Sequence, residues 1–206
     1  KNYILFDFDG VIVDSYAPAY EVQKMMCPHL QEDEYKKRFE GNINDYEAPI
    51  NVHTADCRLD LNFFDLYVPK MAHVTLVPGM REVIEKLAGE YTLIVISSTI
   101  TSPIEELLVG HDLRKYFAEV MGNDVHKSKV EKIKMVFEKY QTSASSCIFI
   151  TDTLGDMREA AKMNVAAVGV TWGFHTPETL AQGNAYKVVD NPEGLVPAIE
   201  SYFAQL

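Results

Sequence analysis

The sequence is short of positive charge, of cysteine and of long apolar runs, and each shortage closes off a class of function. Against 30 acidic side chains stand only 19 lysines and arginines, a formal charge of −11 over 206 residues. Nucleic-acid phosphates need a basic face, so no nucleic-acid partner is expected. The same charge says little about a small anionic ligand, because one metal ion or lysine inverts the field inside a single pocket. The three cysteines, Cys27, Cys57 and Cys147, are odd in number, far apart and without C-x-x-C spacing. That usage is expected of a reducing, cytoplasmic setting rather than of a disulfide scaffold. No run reaches the length of a membrane span. At the N-terminus, "NYILFDFDG" puts acids where the apolar part of a secretion signal would continue, so no membrane partner is expected. Internal repeats and low-complexity tracts are absent as well, and no pattern sets an oligomeric state.

What the sequence does have is apolar content of 47%, enough for a large core. From Leu76 onward strand and helix signals alternate. "VPGMREVIEKLAGE" reads as a turn and an amphipathic helix ending near Gly89, with Val83, Ile84 and Leu87 on one face. "YTLIVIS" (91–97) is a short β-branched run suited to a strand buried on both faces. A short helix "SPIEELLVG", a longer one "SKVEKIKMVFEKYQ", a strand "CIFIT", a helix "GDMREAAKM" and a strand "VAAVGVT" follow. A weak strand "YKVVD" and a helix from about Pro192 complete the pattern. Such alternation predicts an α/β fold, a parallel sheet with helices on both faces. Residues 15–75 differ: they carry helical spacing with Pro, Asn and Gly breaks and no buried-strand run. The expected organisation is a core of residues 1–14 and 76–206, with a small helical insert over 15–75.

The polar residues that interrupt the apolar runs stand at the carboxyl ends of these strands. Asp7 and Asp9 end the first, Ser97 and Ser98 the second, and Asp152 closes "CIFIT", with Asp156 one helical turn later. Lys127 or Lys129 opens the helix that feeds that last strand. In open α/β sheets ligands bind outside the carboxyl ends of the strands, so these distant residues can converge there. A carboxylate ending a buried strand is costly unless it is used or paired.

Taken together, "DFDGV", "LIVIS", a lysine and "DTLGD" resemble the four motifs of the haloacid dehalogenase superfamily, a group dominated by phosphatases. "VPGM" and "GVTWGFH" look like its phosphoglycolate-phosphatase-like branch. The resemblance covers residues 1–14 and 76–206. It implies a Rossmann-like core with a small α-helical cap inserted after the first strand, and hydrolysis of a small phosphorylated metabolite with Mg²⁺. Asp7 would attack phosphorus, giving an aspartyl-phosphate, and Asp9 would act as acid and base. Asp7, the Asp9 carbonyl and Asp152 would hold the metal. Gly10, Ser97, Ser98 and the lysine would face the phosphate, and Asp156 would orient the lysine or a metal-bound water. In "HKSKVEK", Lys127 keeps the spacing of a lysine-proline register that has no proline here, while Lys129 keeps a shorter one with Ser128 as helix N-cap. The balance favours Lys129.

Taken singly, the same residues have plainer readings. Ser97 suits a turn or N-cap, Asp156 a first-turn acid, and either lysine a solvated helix position. His53 and Cys57 are four apart but lack further partners for zinc. His53 and Arg58 read as surface residues of the insert, meeting a substrate only if the insert closes over it, and Trp172 and Phe174 read as packing residues. Two other activities fit the pattern less well. A phosphomutase keeps all four motifs. A phospho-accepting receiver domain gathers similar side chains but lacks an insert after its first strand.

Overall fold

Short apolar strands with helices on either side account for most of this chain. The computed structural model describes residues 1–47 and 56–205. Along the chain run β1 (Tyr3–Phe6), β2 (Val13–Asp14), α1 (Tyr16–Met26), α2 (Glu32–Lys37), α3 (Phe63–Met71) and β3 (Thr75–Leu76). Next come α4 (Met80–Ala88), β4 (Thr92–Ile96), α5 (Thr101–Gly110), β5 (Phe117–Met121) and α6 (Lys129–Tyr140). The chain finishes with β6 (Cys147–Thr151), α7 (Leu154–Lys162), β7 (Ala166–Val170), α8 (Pro177–Leu180), β8 (Lys187–Val189) and α9 (Leu195–Phe203).

Six of these strands make one parallel sheet in the order β5-β4-β1-β6-β7-β8. β1 is central, with Phe6 level with Val95 of β4 on one side and Ile150 of β6 on the other. Successive side chains of a strand face opposite ways, so each central strand serves two cores. Ile4, Phe6, Leu93, Val95, Ile148 and Ile150 join one apolar cluster. Tyr3, Leu5, Ile94, Ile96, Cys147 and Phe149 join the other, with Ile133 and Val136 of α6. This double burial is why β1, β4 and β6 read as unbroken apolar runs rather than as alternating ones.

The strand order reverses beside β1: the chain goes out through β4 and β5, then returns to β6 on the other side. A crevice opens there at the carboxyl ends. Within this sheet, β5 is the strand that sequence reasoning missed. It is an edge strand, and "FAEVM" carries a polar Glu119 that bonds the Tyr140 hydroxyl at 2.7 Å. A half-exposed edge strand needs no apolar run, so it left no such signal.

β2 and β3 form a separate two-stranded antiparallel ribbon, pairing Val13 with Leu76 and Asp14 with Thr75. The three helices α1 to α3 lie between them in the chain. Cys27 and Cys57 are joined by a disulfide, which corrects the reading of the cysteines as those of a chain without bridges. Sequence separation of 30 concealed the pair. The backbone brings them together where the Arg58 N–H donates to the Met26 carbonyl at 2.6 Å. Cys147 is free and buried. Thiol titration of the unfolded, unreduced protein should therefore find one reactive cysteine, and finding three overturns the bridge. Reduction should lower the melting temperature by roughly 5–15 °C, from the loop entropy returned to the unfolded chain.

Candidate active site

The carboxyl ends of β1, β4 and β6 surround a cavity of about 320 Å³. Asp7, Asp9, Ser98, Thr99, Lys129, Asp152, Thr153 and Asp156 line it from the sheet side, and α1 to α3 and their loops close the other. Asp7 is the first residue beyond β1. Its backbone N–H still follows the sheet, donating to the Ile150 carbonyl at 2.9 Å, and its Oδ1 accepts the Phe8 N–H at 2.8 Å.

One ammonium group organises the acids. Lys129 Nζ lies 2.9 Å from Asp7 Oδ1 and 2.5 Å from Asp156 Oδ2, and its side chain is only 3% exposed. Ser128 caps α6, its Oγ accepting the Glu131 N–H at 3.4 Å, so the helix starts at the lysine and aims it inward. Burial works against the Lys129 charge, but Asp156 and Asp7 outweigh it and hold the ammonium above the ordinary lysine value. Burial likewise opposes the Asp156 charge, yet Lys129 and the donors on its oxygens keep that carboxyl below the usual range. One donor is Thr151 Oγ1, at 2.8 Å from Asp156 Oδ2. For Asp7 burial prevails: against the pull of Lys129, and with Asp156 and Asp152 nearby, its carboxyl is pushed well above the carboxylate range. Lys127 is exposed and offers the site only its carbonyl, which accepts Asn44 Nδ2 at 3.0 Å. The choice between the two lysines thus falls to Lys129.

Asp152 lies just beyond β6 and is fully buried. Its Oδ2 accepts the Phe174 N–H at 2.7 Å, while its Oδ1 is buried with no hydrogen-bond partner. Burial, with Asp156 adding to it and the Phe174 N–H opposing, pushes this carboxyl up to about 7. Among the described residues, no three His, Cys, Asp or Glu side chains form a ready-made ligand cluster. A cation here would draw on the orphaned Asp152 Oδ1, the Asp7 carboxylate and main-chain carbonyls. Hard oxygen donors of this kind suit a divalent cation that keeps several waters, and burying an unpaired carboxylate oxygen without one is costly. The residues fit.

Two expected contacts come out differently. Gly10 does not line the cavity, and its N–H is already committed to the Val13 carbonyl at 2.9 Å and Ser15 Oγ at 3.2 Å. The glycine is needed for another reason: its φ is +71°, and a Cβ there would stand 2.1 Å from Asp152 Oδ2. Ser97 is fully buried behind the wall, its Oγ accepting the Thr99 N–H at 2.9 Å, so Ser98 and Thr99 are the residues that reach the cavity. Arg58, in keeping with its reading as a surface residue, is exposed and paired with Asp60 at 2.9 Å, away from the lining. His53 lies outside the described residues.

Sequence reasoning missed several residues that complete the site. Arg38 is the arginine on the lining. It contacts Gln23 Oε1 at 3.0 Å and Glu34 at 3.3 Å, and its Nε is buried without a partner. Glu159 Oε1 accepts the Lys129 N–H at 3.1 Å and Asn42 Nδ2 at 3.2 Å, tying α7 to α6 and to the loop after α2. His175 is buried, and burial pulls its imidazole below the ordinary value. Its Nδ1 accepts the Leu154 N–H at 2.9 Å, which leaves the proton on Nε2, 2.9 Å from the Lys36 carbonyl. Lys132, one turn after Lys129, donates to the carbonyls of Ser97 and Gly122, with burial and the Lys129 charge pushing its amine down to about 7. Phe174 packs against Tyr16, Tyr35 and Phe39, as a packing residue should, but also lines the cavity. Phe174 and His175 close the "GVTWGFH" stretch and Lys132 closes "HKSKVEK", but neither stretch shows from its spacing alone that these side chains meet the site; Arg38 and Glu159 are brought in by the tertiary fold.

A pair of aspartates after the first strand, a lysine at a helix start and two further acids after a later strand define an acid-rich strand-end site on a parallel α/β sheet. The chain belongs to the haloacid dehalogenase-like hydrolases, whose family model matches residues 4–170. Over 96% of its length it is 31% identical to the probable phosphatase IndB of Dickeya dadantii, covering 93% of that protein. It is 26% identical to the phosphoglycolate phosphatase of Vibrio parahaemolyticus, over 95% of both chains. The crystal structure of a predicted phosphatase from Clostridium acetobutylicum shares the fold, with a TM-score of 0.79 and 22% identity over 97% of this chain and 98% of that one.

The two lysines offer a direct test of the geometry. Lys129→Met leaves Asp7 and Asp156 facing each other in the interior, and should cost about 3–5 kcal/mol in denaturant unfolding. Lys127→Ala should stay within about 0.5 kcal/mol of the wild type.

Proposed function

We propose that the protein is a Mg²⁺-dependent phosphatase that hydrolyses a small phosphorylated metabolite through an aspartyl-phosphate on Asp7. The observation that carries this reading is the Asp7–Lys129–Asp156 cluster, set beside the orphaned Asp152 Oδ1 in one cavity. The family relationship and the names of the relatives support it. A phosphate monoester is a dianion that repels an attacking carboxylate. Mg²⁺, when bound by Asp7, Asp152 and the Asp9 carbonyl, would supply the charge that offsets this repulsion.

The residues of the chain divide the remaining work. Asp7 attacks phosphorus, held in place by the Phe8 N–H and Lys129. Lys129 offers a fixed positive charge beside the phosphoryl oxygens, at a position that needs no rearrangement during reaction. Ser98 and Thr99 line the phosphate side of the cavity. Asp156 anchors Lys129. Asp9 gives a proton to the departing oxygen, then takes one from the water that hydrolyses the intermediate. The segment of α1 to α3 acts as a cap: Arg38, Phe39, Tyr46, Phe63 and Phe64 line the cavity, where they enclose the leaving group and exclude water.

Release of inorganic phosphate from p-nitrophenyl phosphate and a phosphometabolite panel tests this reading, and isomer exchange without free phosphate would point to a phosphomutase instead. Asp7→Asn should abolish turnover by at least about 10³-fold while keeping the fold, since it removes the nucleophile. A variant that retains turnover overturns the assignment.

Metal binding should follow the protonation of Asp152. Its carboxyl, at about 7 without a cation, must lose its proton to ligate. Mg²⁺ affinity measured by calorimetry should thus fall by about tenfold or more per unit as pH drops below 7, because Asp7, raised in the same direction, must also lose its proton to ligate. The stability sign agrees: a folded-state value above the unfolded one means the cation-free fold loses stability as pH rises from about 4 to about 7. The gain in melting temperature on adding Mg²⁺ should be larger at about pH 8 than at about pH 6.

A further inference from the structure

Asp9 is gripped by two hydroxyl groups from separate parts of the chain. Tyr67 Oη donates to Asp9 Oδ1 at 2.6 Å, and Thr99 Oγ1 donates to Asp9 Oδ2 at 2.7 Å. Tyr67 lies on α3, in the helical segment, and Thr99 lies in the turn after β4. Both are buried, at 1% and 5% exposure, and the Phe63 ring stacks on Tyr67 with centroids 5.0 Å apart. We propose that Tyr67 and Thr99 are positioning residues for proton transfer by Asp9, and that Tyr67 makes this transfer depend on the helical segment being seated over the strand ends. The inference rests on the phosphatase reading above.

The physical argument concerns orientation. The terminal torsion of an aspartate is broad, so an unheld carboxyl swings about its axis. Bonding both oxygens fixes its plane, and orientation of a reacting group is worth a large share of a barrier. A carboxylate has about four acceptor sites, so two hydroxyls still leave room for the proton in transit. In the first half-reaction the Asp7 oxygen bonds to phosphorus as the ester P–O bond breaks, and Asp9 passes its proton to the departing oxygen. Asp9 is then a carboxylate, the form both hydroxyls stabilise by donating to it. In the second half-reaction water bonds to phosphorus as the Asp7 bond breaks, and Asp9 takes the proton back. One donor is anchored to the sheet. The other arrives only with α3, so a displaced helical segment leaves the acid held by one oxygen.

Leaving groups discriminate this role from simple packing. A p-nitrophenolate departs without needing a proton, whereas an alkoxide needs one. Tyr67→Phe keeps the ring and removes only the hydroxyl. With full-length protein and Mg²⁺, it should lower kcat on an alkyl phosphate that the wild type accepts by about tenfold or more, and on p-nitrophenyl phosphate by less than about threefold. In an Asp9→Asn background it should add no further loss. Thr99→Val should behave in the same way and Thr99→Ser should restore activity, which carries the test if Tyr67→Phe fails to fold. Equal losses on both esters, additive loss in the Asp9→Asn background, or no loss at all would overturn the inference alone. A wild type that releases phosphate from neither ester overturns the phosphatase reading, and this inference with it.

Discussion

The constraint on which the site depends is the burial of one ammonium between two carboxylates. Lys129 reaches Asp7 and Asp156 from a position almost closed to solvent. An ion pair so placed gives little net stability, because desolvating the charges offsets most of their attraction. What it gives is position. The three groups come from the end of β1, the start of α6 and the first turn of α7, so the pairing fixes how these elements meet. The capped start of α6 and the Glu159 bond to the Lys129 N–H both serve that geometry.

The acids beside this cluster are left deliberately uneven. Asp156 is held charged by its donors, while burial drives Asp7 and Asp152 toward their neutral forms. A cation is the natural remedy for the second pair, as the unpartnered Asp152 Oδ1 indicates. The fold therefore stores an electrostatic imbalance that ligands relieve, a common condition of active sites.

Much of this was legible in the sequence, for a physical reason. Strands buried on both faces must be apolar, so Asp7, Asp9 and Asp152 at the ends of β1 and β6 stand out against their runs. The alternation of strands and helices gave the parallel sheet by the same logic. What escaped detection lacked that contrast. β5 is an edge strand whose Glu119 faces a tyrosine rather than a core. Tyr67 and Arg38 lie in stretches where helical spacing explains an aromatic or a charge without any site. The Cys27–Cys57 bridge and the committed N–H of Gly10 depend on chain paths that no local pattern encodes. The two candidate lysines separated only when helix α6 began at one of them.

The β2–β3 ribbon carries a different consequence. Because Val13 pairs with Leu76 and Asp14 with Thr75, the chain departs from the sheet and comes back to it through neighbouring strands. Whatever lies between them can grow, shrink or be replaced without shifting β1 against β4. The ribbon thus works as a socket: the segment it carries enters and leaves at one place, beside the end of β1, so its length is uncoupled from the pairing of the sheet.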